Sequence, residues 1–219
     1  MVSCGRINCD VPGSTGKQIA PDYWEIGSLM ASKREGLLLA AKKLLWERGY
    51  EGTSPRDIQD ECGAGQGSFY HHFESKLDLA ATALGEVSAD MRDDASDLLN
   101  SELPGLERVA LFLGRGRDGL KGCRMGRFAA EASIAEPKIR APVKRYFDHL
   151  ESLLTAALDE AKQSGTLQAS VEPRALAAML IAVVQGGFVL SRIHRDKAAI
   201  NRATATALAL LRSSTTSRR

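Results

Sequence analysis

Thr53-Ser-Pro-Arg-Asp-Ile-Gln-Asp-Glu-Cys-Gly-Ala-Gly-Gln-Gly-Ser-Phe-Tyr-His-His-Phe73, followed by Glu74-Ser75-Lys76, decides the fold. Ser54 is placed to cap a helix, Pro55 suits its first position, and Asp57 completes a Ser-x-x-Asp form of the capping box. That helix runs to Cys62, where Gly63-Ala64-Gly65 makes a three-residue turn. A short helix over Gln66 to His72 follows, and Ser75, with Asp78 three residues on, caps the next. Two helices joined by a glycine turn within about 20 residues have the geometry of a helix-turn-helix.

Upstream, Leu37, Leu38, Ala41, Leu44 and Leu45 recur at helical spacing from Glu35 onward, and Gly49 stands where a helix stops. Downstream, the spacing predicts helices near 76–100, 104–121, 124–134, 138–164, 173–193 and 196–212. They are punctuated by Pro104-Gly105, Gly122, Pro137, Gly165 and Pro173. No segment alternates with period two, so the expected fold is all-α. Its expected parts are a mobile tail over 1–32, a helix-turn-helix domain over 33–80, a larger helical effector-binding and dimerisation domain over 81–213, and a frayed end over 214–219. Met30-Ala-Ser-Lys-Arg also reads as a translation start, so the tail has a second reading as a gene-boundary artefact.

The chain has 219 residues, 44% of them apolar and 26% charged, which argues against wholesale disorder. The longest apolar run, Ala175 to Val184, is half of what a membrane span needs (roughly twenty residues). The first thirty residues lack the apolar stretch of a secretory signal, so a cytoplasmic protein without a membrane partner is expected. The net charge of +2 is unevenly spread. Residues 33–76 carry seven basic and seven acidic side chains, 77–121 five and nine, and 192–219 seven and one. Nucleic-acid contact must therefore come from placed side chains. Cys4, Cys9, Cys62 and Cys123 form no C-x-x-C pair, and the four histidines complete no zinc pattern. No metal and no cofactor is expected.

In a helix-turn-helix the second helix enters the major groove. Gln66 can bond adenine through both its amide atoms, and Gly67 lets the backbone approach DNA. Ser68, Tyr70, His72 and Lys76 are of types that reach phosphate oxygens, which fix register without reading sequence. Phe69 and Phe73 should point inward. Residues 34–84 resemble the DNA-binding domain of TetR-family one-component regulators. The matching stretches are Leu37-Leu38-x-Ala-Ala, Arg48-Gly49-Tyr50, Thr53-Ser54-Pro55-Arg56-Asp57-Ile58, Gly67-Ser68-Phe69-Tyr70-His71-His72-Phe73 and Ser75-Lys76. The resemblance implies DNA contacts from Thr53 and Arg56, a reading edge of Gln66, Gly67 and Ser68, and backbone clamps at Tyr70, His72 and Lys76. Ala64 and Gly65 depart from the Val and Ser or Pro of many relatives, and Gln59 and Cys62 from their Ala. These departures bear on base preference and on the stiffness of the turn.

The resemblance further implies a dimeric regulator, expected to be a repressor released from a palindromic operator by a small-molecule effector. Candidate pocket residues are Phe112, Cys123, Met125, Phe128, Tyr146, Phe147 and Leu150, each with an alternative reading as plain core. The candidate dimer interface is Leu176, Leu180, Val183, Val184, Gly187, Leu190, Ala207, Leu208 and Leu211, on helices rich in small residues. Gly122-Cys123 followed by Phe128-Ala-Ala-Glu131 also looks like a branch of these regulators. Cys123, at an expected helix start between Lys121 and Arg124, suggests a thiol or electrophile sensor. Two rival classes are an α-helical enzyme and a protein-binding adaptor. The enzyme's raw material is Asp90, Asp93, Asp94 and Asp97 with His149 or His194, but a solvated acidic face explains the aspartates and no catalytic residue is assigned.

Overall fold

The computed structural model describes residues 32–213, so the expected tail before Ser32 and the expected frayed end lie outside the described residues. Within them stand eight α-helices, two 3-10 turns and no β-strand. Helix α1 (Lys33–Arg48) starts two residues before Glu35, where the helical period begins, because Ser32 and Glu35 form a reciprocal capping box. Helix α2 (Pro55–Cys62) carries the predicted box between Ser54 and Asp57 and ends on Gly63 at φ 67°, a left-handed position that suits glycine. Helix α3 (Gln66–His72) has Gly65 as its N-cap and no side-chain cap bond. Helix α4 (Lys76–Leu99), capped by Ser75, runs without a break through residue 80, where the sequence placed a domain boundary.

Helix α5 (Gly105–Gly114) is shorter than the predicted 104–121. Gly114, Gly116 and Gly119 weaken helix propagation. Arg117 then folds back, and its guanidinium donates to the carbonyls of Phe112 (2.5 Å) and Leu113 (2.9 Å), closing the helix end. The predicted helix over 124–134 is replaced by two 3-10 turns, Gly126–Ala130 and Ala132–Ala135. Between them Glu131 is extended (φ −101°, ψ 148°), which turns its side chain out of any helical register. Helices α6 (Pro137–Gln163), α7 (Pro173–His194) and α8 (Ala199–Ser213) complete the chain. The last begins three residues later than predicted, because Asp196 accepts the Ala198 N–H (2.8 Å) in a tight turn.

The core lies where α4 packs on α6, α6 on α5 and α7, and α7 on α8, while α1 packs on α2 and α4. Arg108, buried on α5, is paired with Glu160 of α6 and donates to the Leu99 carbonyl (2.8 Å) that ends α4. Ser88 donates to the carbonyl of Pro142 (2.8 Å) where that proline sits inside α6.

Candidate nucleic-acid interface

The short helix α3 cannot hold itself, since isolated helices of this length are unstable in water. Phe69 (0% exposed) and Phe73 (3%) hold it by packing into the core that includes Leu44, Leu45 and Ile58. Each buried phenylalanine contributes about 1.5–3 kcal/mol. The opposite face is left to solvent. Gln66 and Gly67 are exposed, and Tyr70 is 55% exposed although its ring edge meets Phe69 with centroids 5.1 Å apart. Arg56 on α2 projects outward beside this face, with only a loose surface pair to Asp60 at 3.8 Å. His72 is half-buried, stacked edge-on against exposed His71.

Three of the expected contact residues sit differently. Thr53 is 1% exposed, and its hydroxyl donates to the carbonyls of Gly49 (2.7 Å) and Leu44 (3.3 Å). Its side chain fixes the α1–α2 corner and is turned away from solvent. The Ser68 Oγ is enclosed without a hydrogen-bond partner among the described residues, so it too is not presented to solvent. Lys76 lies with its ammonium 4.0 Å from the Tyr50 ring centroid. Burial holds the Lys76 pKa below its usual value, against the opposing pull of Glu131, Glu51 and Asp57. The cation is therefore tied to the α1–α2 loop as well as available near the α4 start. The Asp57 carboxyl is held below its usual pKa, first by the Ser54 hydroxyl and then by its backbone N–H.

Sequence reasoning missed what braces this unit from behind. Glu131 accepts the backbone N–H groups of Tyr50 (2.9 Å) and Glu51 (3.3 Å), and the Trp46 indole N–H donates to the Gly122 carbonyl (3.2 Å). Gly49 has φ 81°, and a Cβ there would overlap the Glu131 carboxylate. No local pattern signals contacts about 80 residues apart in the chain.

The pocket candidates come together as packed core. Phe112, Met125, Phe128, Tyr146 and Leu150 are at most 3% exposed, Cys123 is 9% exposed, and Phe147 is partly buried with its ring against Tyr146. Burial pushes the Tyr146 phenol up to about 12 and the neighbouring Arg117 down to about 10. A groove of about 620 Å³ lies elsewhere, between α6 and the start of α7, lined by Lys144, Asp148, Glu151 and Arg174 among others. Cys123 does not begin an α-helix. Its sulfur accepts the Gly126 N–H at 3.3 Å, at the start of the first 3-10 turn. The dimer candidates are divided. Leu180, Val184, Gly187, Ala207 and Leu211 are buried between the chain's own helices, and Leu176, Val183 and Leu208 are half-buried. Leu190 is 46% exposed, and it shares the outer face of α7 with Met179, Val189 and Ile193 (68%). Both faces of α7 are apolar, so the spacing alone does not separate the covered face from the exposed one. That helix is long and apolar enough to cross a membrane by length and composition alone. The aspartates Asp90, Asp93, Asp94 and Asp97 are exposed on α4, His194 is exposed, and His149 is hydrogen-bonded to Ser96 at 2.8 Å.

Residues 37–83 match the family described as bacterial regulatory proteins, tetR family, and residues 105–207 match the tetracyclin repressor-like C-terminal domain. The chain belongs to the TetR family. Among TetR-family relatives, the HTH-type transcriptional repressor DhaR of Mycobacterium sp. (strain GP1) is 29% identical over 167 residues, which covers 75% of this chain and 84% of DhaR. A TetR-family transcriptional regulator from Agrobacterium tumefaciens superposes with a TM-score of 0.75 at 25% identity, covering 82% of this chain and 97% of the other. The reduced form of E. coli NemR shares the TetR fold, with a TM-score of 0.72 at 24% identity over 85% of this chain and 98% of that one. This TetR-family chain is a helix-turn-helix transcriptional regulator.

Proposed function

We propose that this TetR-family regulator is a cytoplasmic repressor that binds a palindromic operator as a homodimer and is released by a small-molecule effector. The carrying observation is the solvent face of α3: Gln66, Gly67 and Tyr70 stand free while Phe69 and Phe73 lock the helix behind them. Residues 33–80 would read DNA, with Arg56, Gln66, Gly67, Tyr70, His72 and Lys76 as contacts, and residues 81–213 would dimerise and take the effector. The outer face of α7, with Leu190 and Ile193 at its C-terminal end, offers the apolar surface for pairing, continued on α8 by Leu210 (62% exposed). Pairing must set the two recognition helices about 34–36 Å apart to meet successive major grooves.

A gel-shift titration with DNA flanking the gene tests the reading. The wild type is expected to retard a fragment that contains an inverted repeat, with affinity falling steeply as salt rises. Gln66→Ala is expected to relax discrimination at its own base pair by about 1–3 kcal/mol. Arg56→Ala is expected to weaken all sequences alike and to flatten the salt dependence. Failure to retard any flanking fragment at low ionic strength refutes the proposal.

A second reading of the trigger is favoured by the surroundings of Cys123. Its neighbours in sequence include the cations Lys121 and Arg124, and its sulfur accepts the Gly126 N–H at 3.3 Å, surroundings of the kind in which cysteines react. Cys123→Ser is then expected to hold operator normally but to resist release by N-ethylmaleimide. Equal release of wild type and variant would exclude the thiol trigger.

A further inference from the structure

The segment 120–133 touches three parts of the molecule. At one end Arg192 of α7 donates to the carbonyls of Leu120 (3.3 Å) and Lys121 (2.7 Å). In the middle Cys123, Met125 and Phe128 are buried in the core of the larger helical half. At the front the same segment is bonded to the helix-turn-helix unit at two separate places. The Gly122 carbonyl takes the Trp46 indole N–H, and Lys121 and Arg124 lie over that ring at 5.1 and 4.9 Å. The Glu131 side chain, only 14% exposed, takes the N–H groups of Tyr50 and Glu51 and lies 3.7 Å from the Arg127 guanidinium. The Ser133 N–H answers by donating to the Glu51 carboxylate at 3.0 Å.

Those amides are chosen by position. Tyr50 and Glu51 follow the end of α1, in a corner that makes no regular backbone ladder, so their N–H groups need an outside acceptor. A carboxylate is a stronger acceptor than a carbonyl. The corner so fixed runs through Thr53, whose hydroxyl pins it to α1, into the Ser54 cap of α2 and thence to α3. The Tyr50 ring carries Lys76 at the start of α4. A shift of Glu131 therefore moves the loop that sets how α2 and α3 stand on α1.

We infer that Glu131 is a positioning residue for DNA binding. With the Trp46–Gly122 bond it forms a two-point strap that couples the core around Cys123 to the recognition helix, in parallel with the continuous helix α4. This rests on the DNA-binding reading above and adds the route by which that site is regulated. Coupling is reciprocal at equilibrium, so DNA bound at α3 must alter the surroundings of Cys123, and the strap must carry that effect.

The test uses full-length protein with Cys4, Cys9 and Cys62 replaced by serine, so that Cys123 is the one remaining thiol. Its rate of reaction with dithionitrobenzoate is measured with and without the promoter fragment found by gel shift. The expected change on adding DNA is about fivefold or more, the lower end of typical allosteric coupling. In a Glu131→Leu, Trp46→Phe double variant, which removes the carboxylate acceptor and the indole donor, the change is expected to fall below about twofold, while circular dichroism shows intact helices. Glu131→Gln alone retains an oxygen acceptor for Tyr50 and is expected to fall between. A labelling rate indifferent to DNA in the wild-type strap, or shifted equally in the double variant, overturns the inference and leaves the DNA-binding reading standing. A protein that binds no promoter fragment removes both.

Discussion

Ile193→Asp is expected to give a folded monomer that no longer retards operator DNA. Ile193 is 68% exposed and lies beside Val189 (55%) and Leu190 (46%) on the outer face of α7. An aspartate there costs the single chain little, because surface substitutions away from packed features stay within about 0.5 kcal/mol. The same carboxylate buried between two apolar helix faces would be unpaired, which is expensive. Losing the dimer also loses the second half-site. Paired modules gain roughly 10²–10⁴ in apparent affinity over single ones, so operator binding should drop by about 10²-fold or more. Sedimentation velocity, circular dichroism and gel shift on the same sample check the three parts. A variant that sediments as the wild type does would show that this face is not the pairing surface.

Phe69→Ala should have the second large effect, and through stability rather than assembly. Phe69 is fully buried, and it is one of the two aromatics that hold the seven-residue α3. Truncating a buried phenylalanine to alanine costs about 3–5 kcal/mol. That is a large share of the 5–15 kcal/mol typical of a domain. Denaturant unfolding should show the loss directly, and DNA binding should vanish even at temperatures where the helical half stays folded. Tyr70→Ala, one residue along but 55% exposed, is the matched control: stability unchanged within about 0.5 kcal/mol, affinity reduced. If both variants lost stability equally, the division of α3 into a buried and a reading face would be wrong.

The helix-turn-helix was readable because its signals are local. Ser54, Pro55 and Asp57 act on one another within four residues, and Gly63 answers to its own backbone angle. The inward turn of Phe69 and Phe73 follows from helical spacing. The placement of Thr53 was not readable for the converse reason. The family resemblance implies a DNA contact there, whereas its hydroxyl is engaged with the carbonyls of Leu44 and Gly49 across the corner. The shortened α5 is similar: Arg117 closes the helix by reaching back to Phe112, a choice its residue type permits but does not announce.

By itself the sequence determined that this chain is all-helical, where its helix-turn-helix lies, and which family it joins. Caps, glycine turns and apolar stripes act over a few residues, and their physics does not need the rest of the molecule. Only the tertiary structure decided which face of α7 stays exposed, since an apolar residue on either side of a helix looks the same until one side is covered. It also decided that Glu131 and Trp46 brace the reading unit from afar. Backbone amides at a helix end demand an acceptor, but which of 27 acidic side chains supplies it depends on how the chain folds back.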